Sequence, residues 1–468
     1  MSAPLLWIVL PIALGGFLLF FRDERFLARM SAASALALGL LALVVPIDAA
    51  LLLGPFSFKL AGTLNVLGRS FILQSEHGSL LAILYGLAAM WFFGAEALGL
   101  ARRLAPLGLI ILGLTVAALA VRPFLFAAVF IEIAVLLSVP MLLPLSQKPG
   151  RGILRYVIFQ TLALPFILMA GWLLAGVEAS PGDVTLTAQS TAMLAMGFAF
   201  LLSIFPLYTW IVMLLEESSP YIVGFLLWLL PQATVLFGMG FLDRYPFLRL
   251  SSELMIALRV AGLLMAVSAG LSAAFQRRLG RLMGYAAIAE TGFLLVALSL
   301  GTTDGVQLVF MQIIPRGLGL VVWALSLAVI QSHADPPTFA NAQGIARRLP
   351  FAAAGVILAN FSAAGLPLLA GFPLRLILLE DLATLSSAQT IWLALGLLGL
   401  MTGAARTLGV AVLPGAEAGW SSRETRTQAA LIALGVAALV ALGLVPQVSQ
   451  FLLKDLPALF ERLGQGAL

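Results

Sequence analysis

The sequence predicts an all-α polytopic membrane protein of about fourteen transmembrane helices, and three observations predict it. Hydrophobic residues make up 62% of the 468-residue chain and charged residues 10%, with a mean hydropathy of +1.08, a balance that a water-soluble globule cannot carry. Apolar runs of roughly 20 residues, the length that crosses the hydrocarbon of a bilayer, recur along the whole chain. Most charges fall between them. Cysteine is absent, which excludes disulfides, thiolate metal sites and cysteine nucleophiles. The net charge of +5 sits in short loops and reads as membrane orientation. No nucleic-acid motif accompanies it.

In order, the runs fall at about 4–21, 30–53, 79–99, 104–121, 123–145, 154–176, 191–215, 220–241, 253–275, 282–301, 306–330, 349–379, 388–413 and 427–451. The first lacks the basic leader of a cleavable signal and reads as a retained helix. The connection at 54–78 alternates apolar and polar residues around Gly62 and Gly68, the pattern of a small β-hairpin outside the membrane. The seventh and eighth runs contain Pro206 and Pro231. A proline removes a backbone donor and frees a carbonyl, which at membrane depth needs a donor from a neighbour. The run at 349–379 is too long for one crossing and carries Gly365, Pro367, Gly371 and Pro373, so a second broken helix is expected there. The tail, LKDLPALFERLGQGAL, reads either as an interfacial amphipathic helix with Phe460 and the leucines in lipid, or as a frayed end.

Loops after odd-numbered runs hold 15 Lys and Arg, and loops and tail after even-numbered runs hold 7. The positive-inside rule then places both termini outside, and the expected membrane is the bacterial inner one. Broken runs at positions seven and twelve are five spans apart, the arithmetic of two five-helix inverted repeats, spans 4–8 and 9–13. The expected organisation is 1–99 for the first three helices and hairpin, 100–241 and 250–413 for the repeats, and 414–468 for the last helix and tail.

Ionisable residues remain inside the spans: Glu132, Glu290, Arg259, Arg316, Arg375 and Arg406, with Glu96 near a span end. Each charge at bilayer depth costs roughly 2.5–3.5 kcal/mol, so opposite charges on adjacent helices should meet. A Glu290–Arg316 pair is expected, with Arg375 or Arg259 as competing partners. Such a pair can serve a water-holding polar axis or merely fix helix packing. Glu132 is either a functional carboxyl or an interior group hydrogen-bonded to a neighbouring helix. His77 and His333 stand alone in loops, and no metal-ligand cluster or phosphate-cradling loop is present.

Four stretches carry a family resemblance. FPLYTW at 205–210 followed by ESSP at 217–220, LLPQATVLFG at 229–238, RLMGYAAIAETGFLLVAL at 281–298 and ANFSAAGLPLLAGFPLRL at 359–376 resemble motifs of the antiporter-like membrane subunits of respiratory complex I. That fold is shared by Mrp-type antiporters and membrane-bound hydrogenases, and the length is nearest the smaller quinone-side subunits. The resemblance implies proton movement by a fifth-span Glu, seventh- and eighth-span Lys, and a twelfth-span Lys or Glu. Here Glu132 matches the first, Leu201 and Gln232 replace the lysines, and Arg375 stands at the last. Arginine does not release its proton in proteins. The resemblance further implies no cofactor bound by this chain, and other membrane-arm subunits and the bilayer as partners. Two functions follow: a divergent proton channel using Glu132 and Glu290 with Arg375 as a fixed charge, or a structural docking subunit that has lost pumping. A stand-alone secondary transporter is a third reading.

Overall fold

In hydrocarbon the backbone must satisfy its own polar groups, which for this composition means helices. The computed structural model describes residues 2–48, 50–53, 56–66, 68–143, 148–180, 182–413, 420, 422–460 and 462–463. A wide turn over Leu5–Val9 leads into α1 (Leu10–Leu18), followed by α2 (Glu24–Val44). α2 stops short of the expected residue 53 because Pro46 drives Val45 into an extended conformation. Strands β1 (Ala50–Leu53) and β2 (Phe56–Lys59) then form one antiparallel hairpin, and β3 (Thr63–Val66) and β4 (Arg69–Ile72) a second. The single hairpin expected over 54–78 is therefore two, the first starting at residue 50. Gly68 turns the second at φ +72°; positions 54, 55 and 67 lie outside the described residues.

Helices α3 (His77–Leu98) and α4 (Ala101–Ala120) follow, and β5 (Val121–Arg122) pairs with β4. Next come α5 (Ala127–Leu142), α6 (Arg151–Ala179) and a seventh pass broken into α7 (Val184–Leu201) and α8 (Thr209–Glu217). α9 (Pro220–Arg244) runs unbroken through Pro231. The short α10 (Pro246–Arg249) leads to α11 (Ser252–Phe275), α12 (Leu279–Leu298), and α13 (Thr303–Met311) with α14 (Ile313–Gln331), a single pass interrupted at Gln312. The twelfth pass breaks as expected, into α15 (Pro350–Ala364) and α16 (Phe372–Leu385), where Gly365 takes the left-handed conformation at φ +80°. α17 (Ser387–Val412), α18 (Arg426–Leu444) and α19 (Gln447–Leu453) complete the chain.

Among the described residues twelve helices are long and apolar enough to cross a membrane, and the shorter Leu5–Leu18 and Pro350–Ala364 supply the other two of the fourteen expected passes. α9 and α12 form the centre, 89% buried, whereas α18 is 17% buried and faces outward. Over its described residues the tail packs against the bundle. Leu453 and Leu456 are buried, and Phe460 packs against Phe310 with ring centroids 6.1 Å apart. Its leucines find a deeper apolar surface on the bundle than at an interface. Residues 464–468 lie outside the description.

Two devices set the packing. Without a hydrophobic force between helices in lipid, close backbone approach stabilises association: a Cβ built on Gly262 of α11 would lie 2.6 Å from the Gly292 carbonyl of α12, and the reverse holds equally. At one end of the bundle, three helices lack a capping side chain of their own and borrow a carboxylate. Glu24 Oε2 accepts Arg102 N–H at the start of α4 (3.0 Å). Glu217 accepts Gly152 and Ile153 N–H at the start of α6 (2.8 and 3.2 Å). Glu424 accepts Phe351 and Ala352 N–H at the start of α15 (3.2 and 2.6 Å). Each puts a negative charge where orphan donors and the helix dipole favour it. Beside them Arg278 and Arg281 clamp Glu216 (2.5 and 2.6 Å), tying α8 to α12.

Glu424→Ala is expected to destabilise the purified protein by about 1–2 kcal/mol, the usual worth of a helix cap, seen as a lower midpoint in thermal or denaturant unfolding. Gly292→Leu is expected to prevent stable assembly, because the clash is with backbone; a normal yield of folded protein would contradict the close approach.

Candidate functional site

The breaks in the seventh and twelfth passes leave helix-end carbonyls without partners, and the buried polar side chains gather around them. In the first half, Gln160 of α6 donates its Nε2 to the carbonyls of Phe200 and Leu201 at 3.3 and 3.2 Å, closing the end of α7. Trp210 Nε1 donates to Ser203 Oγ across the break (2.9 Å). Tyr156 and Ser138 share a hydroxyl hydrogen bond of 2.8 Å. Glu132, buried on α5, accepts a hydrogen bond from Thr161 Oγ1 at 2.8 Å. Among the described residues it has no ion-pair partner. Leu201 and Gln232 are both buried, and Gln232 Nε2 finds no partner among the described residues.

In the second half the capping donor is a cation. Arg375, at the start of α16, donates Nε to the Ala363 carbonyl at the broken end of α15 (3.4 Å) and stacks 4.1 Å from the centre of the Phe293 ring. Its Nη2 lies 3.5 Å from Glu290 Oε1 and its Nη1 3.5 Å from Gln312 Oε1. Glu290 also faces Arg316, with Nε 4.0 Å from Oε2. The expected Glu290–Arg316 pair therefore exists as one side of a triad, and Arg375 is the nearer partner. Arg316 Nη2 donates to Thr291 Oγ1 (2.9 Å) and to the Leu227 carbonyl (3.2 Å). That carbonyl is four residues before Pro231, the acceptor that the proline leaves unpaired. An arginine from another helix thus supplies the donor that Pro231 takes away.

The other charges lie off this axis. Arg259 donates to Ser299 Oγ and O (3.4 and 3.1 Å) and is no competitor for Glu290. Arg406 donates to the Ala274 carbonyl and lies over Phe339 at 5.3 Å. Glu96 pairs with Arg29 at 2.9 Å. Gln160, Thr161, Thr291, Gln312 and Asn360 escaped the sequence reading because they carry no charge. Their signal was a polar residue inside an apolar run, often three to five positions before a proline.

A cavity of about 20 Å³ joins the halves, lined by Tyr156, Gln160, Ser203, Trp210, Pro231 and Thr291 among others. It has room for about one water. A smaller one of about 10 Å³ touches Glu290, Trp323 and Ser362. A larger cavity, about 210 Å³ between α7, α9, α11 and α12, is lined almost wholly by apolar residues and lies apart from these charges. Among the described residues no group of three or more His, Cys, Asp or Glu side chains could hold a metal ion.

A fourteen-pass bundle with the seventh and twelfth helices broken, and charges gathered at the second break, has the antiporter-type fold. Residues 173–402 match the family described as NADH:quinone oxidoreductase/Mrp antiporter, TM. Subunit 14 of the NADH-quinone oxidoreductase of Thermus thermophilus is 27% identical over 88% of this chain and 95% of its own length. Chain 2 of the NADH-ubiquinone oxidoreductase of Marchantia polymorpha is 29% identical over 38% of this chain and 36% of its own. The matched regions of the first curated relatives span 36 to 58% of those proteins. Three solved assemblies contain chains of the same fold at 16–20% identity. They are respiratory complex I from Thermus thermophilus (TM-score 0.80, 98% of this chain and 100% of the other), the archaeal membrane-bound sulfane sulfur reductase (0.84, 99% of each) and the Mrp complex from a Dietzia species (0.81, 99% of each). The chain is a homologue of the antiporter-like membrane subunits of complex I-like assemblies.

Two guanidiniums share one carboxylate, so the order of damage can be stated. Glu290→Gln leaves two buried cations facing each other and is expected to cost about 3–5 kcal/mol. Arg316→Met leaves Glu290 neutralised by Arg375 and costs less, chiefly the orphaned Leu227 carbonyl, about 1–3 kcal/mol. Adding Arg316→Met to Glu290→Gln should recover part of the loss. Folded yield and unfolding midpoint of the three variants check this; a Glu290→Gln protein as stable as the native one would show that the carboxylate does not hold the arginines.

Proposed function

We propose that this chain is a membrane-arm subunit of a multisubunit, complex I-like assembly, that it binds no redox cofactor, and that it acts there as a structural, charge-holding spacer without pumping protons. The carrying observation is the inventory of the buried axis. A side-chain proton relay needs stations that release and regain protons, and lysine serves because burial and neighbours bring its pKa towards neutrality. Leu201 and Gln232 occupy two lysine positions of the family, and Arg375, at the third, keeps its proton. The Glu290–Arg316–Arg375 triad carries a net positive charge, which repels a proton approaching the second break. Its partners are other membrane subunits packed along the exposed faces of α6, α17 and α18, and its membrane is the bacterial inner one, with both termini outside.

One observation favours the other reading. Glu132 shares α5 with Ser138 and is hydrogen-bonded to Thr161 of α6, which also carries Tyr156 and Gln160, and the last two line the cavity that reaches Thr291. A proton path confined to the first half would use those groups. Proton movement in vesicles holding the whole purified complex, native against Glu132→Gln, separates the two. An unchanged proton-to-electron ratio with intact electron transfer is expected; a lowered ratio in an assembled complex overturns the spacer reading in favour of a channel.

A further inference from the structure

A pocket of about 70 Å³ opens at the end of the bundle that carries the strands and the C-terminal tail, away from the buried axis. Gln74, His77 and Arg122 form its polar side, and Leu236, Phe237 and Phe460 much of its apolar side. His77, which the sequence leaves isolated, is the first residue of α3 and here faces Arg122 across the pocket. Its Nδ1 accepts the Gln74 backbone N–H at 3.1 Å. A neutral ring so held carries its proton on Nε2, a remaining donor. The Arg122 side chain makes no hydrogen bond or ion pair among the described residues. The charged neighbours of these two groups are committed elsewhere. Glu76 accepts from Ser75 Oγ (2.9 Å), Asp243 accepts the Arg462 backbone N–H (2.8 Å) and Arg244 pairs with Glu178 (3.0 Å). Arg69, on the adjoining strand, stacks over Phe126 at 4.0 Å.

We propose that this pocket binds a phosphate oxyanion, with Arg122 and His77 as its principal donors. A guanidinium fork matches two phosphate oxygens at once, His77 Nε2–H and the Gln74 amide offer donors to the others, and no carboxylate lines the pocket to repel an anion. The volume corresponds to about five water-sized groups, the scale of one phosphate. The chemistry is shared by free phosphate and by the headgroup of an anionic phospholipid. The aromatic side of the pocket would pack against the glycerol of the latter.

Gly240 provides an independent handle, because a Cβ there meets only Phe124 at 3.8 Å, so Gly240→Met fills the pocket and leaves every charge in place. Binding to the full-length purified protein is measured with inorganic phosphate alone, and with vesicles of phosphatidylglycerol against phosphatidylcholine. Arg122→Gln and Gly240→Met are compared with the native chain once their unfolding midpoints without anion match it. Saturable binding of phosphate identifies a free-anion site; preference for phosphatidylglycerol without phosphate binding identifies a lipid headgroup. In either case both variants are expected to lose about tenfold or more in affinity, the worth of a charge-assisted hydrogen bond. The proposal is overturned if the native chain prefers neither anion over its control, or if both variants bind as the native chain does.

Discussion

Broken backbone in a medium without water is the constraint on which the rest of this molecule depends. A helix that ends or meets a proline at membrane depth exposes carbonyls, and a donor brought from another helix is one way to satisfy them. The structure answers this three times, with Gln160 at the end of α7, Arg375 at the end of α15 and Arg316 beside Pro231. Polar residues are thus in the interior first because the backbone requires them there. Any role in charge movement is built on donors that packing already demands.

The two breaks use different donors, and that difference governs the electrostatics. An amide such as Gln160 satisfies two carbonyls and adds no charge, so the first half is nearly neutral, with Glu132 tied to a hydroxyl. A guanidinium at the second break brings a full charge into hydrocarbon. It needs a carboxylate within a few ångströms, and Glu290 supplies it from α12, which with α9 forms the enclosed centre of the bundle. The carboxylate in turn lies within reach of Arg316, whose position is set independently by the Leu227 carbonyl.

Much of this was legible in the sequence, because hydropathy and proline speak directly of length and breakage. Fourteen passes, the breaks near Pro206 and Gly365, and the meeting of Glu290 with an arginine all follow from run lengths and the cost of lone charges. The donor for the carbonyl that Pro231 frees did not, since it comes from Arg316, 85 residues further along the chain on another helix. Nor did the preference of Glu290 for Arg375, which is set by how α12, α14 and α16 are rotated about their axes. Gln160 and Gln312 were missed because an uncharged amide in an apolar run looks like noise until the carbonyl it serves is seen. The tail misled for a related reason: an amphipathic pattern says that Phe460 is buried, not whether lipid or Phe310 buries it.

The borrowed carboxylate caps complete the logic. A broken helix is two short helices, and each half is weaker than a continuous one unless its ends are held. α15 is fixed at one end by Glu424 and at its broken end by Arg375; α8 is fixed at its far end by the clamp of Glu216 on Arg278 and Arg281. Pinned at both ends, α15 cannot slide relative to α12 without separating Arg375 from either the Ala363 carbonyl or Glu290. Movement at the second break therefore requires parting a buried charge pair, a penalty of several kcal/mol. With arginine in that place, neutralisation of the cation, the change that would loosen the pair cheaply, is closed to the guanidinium.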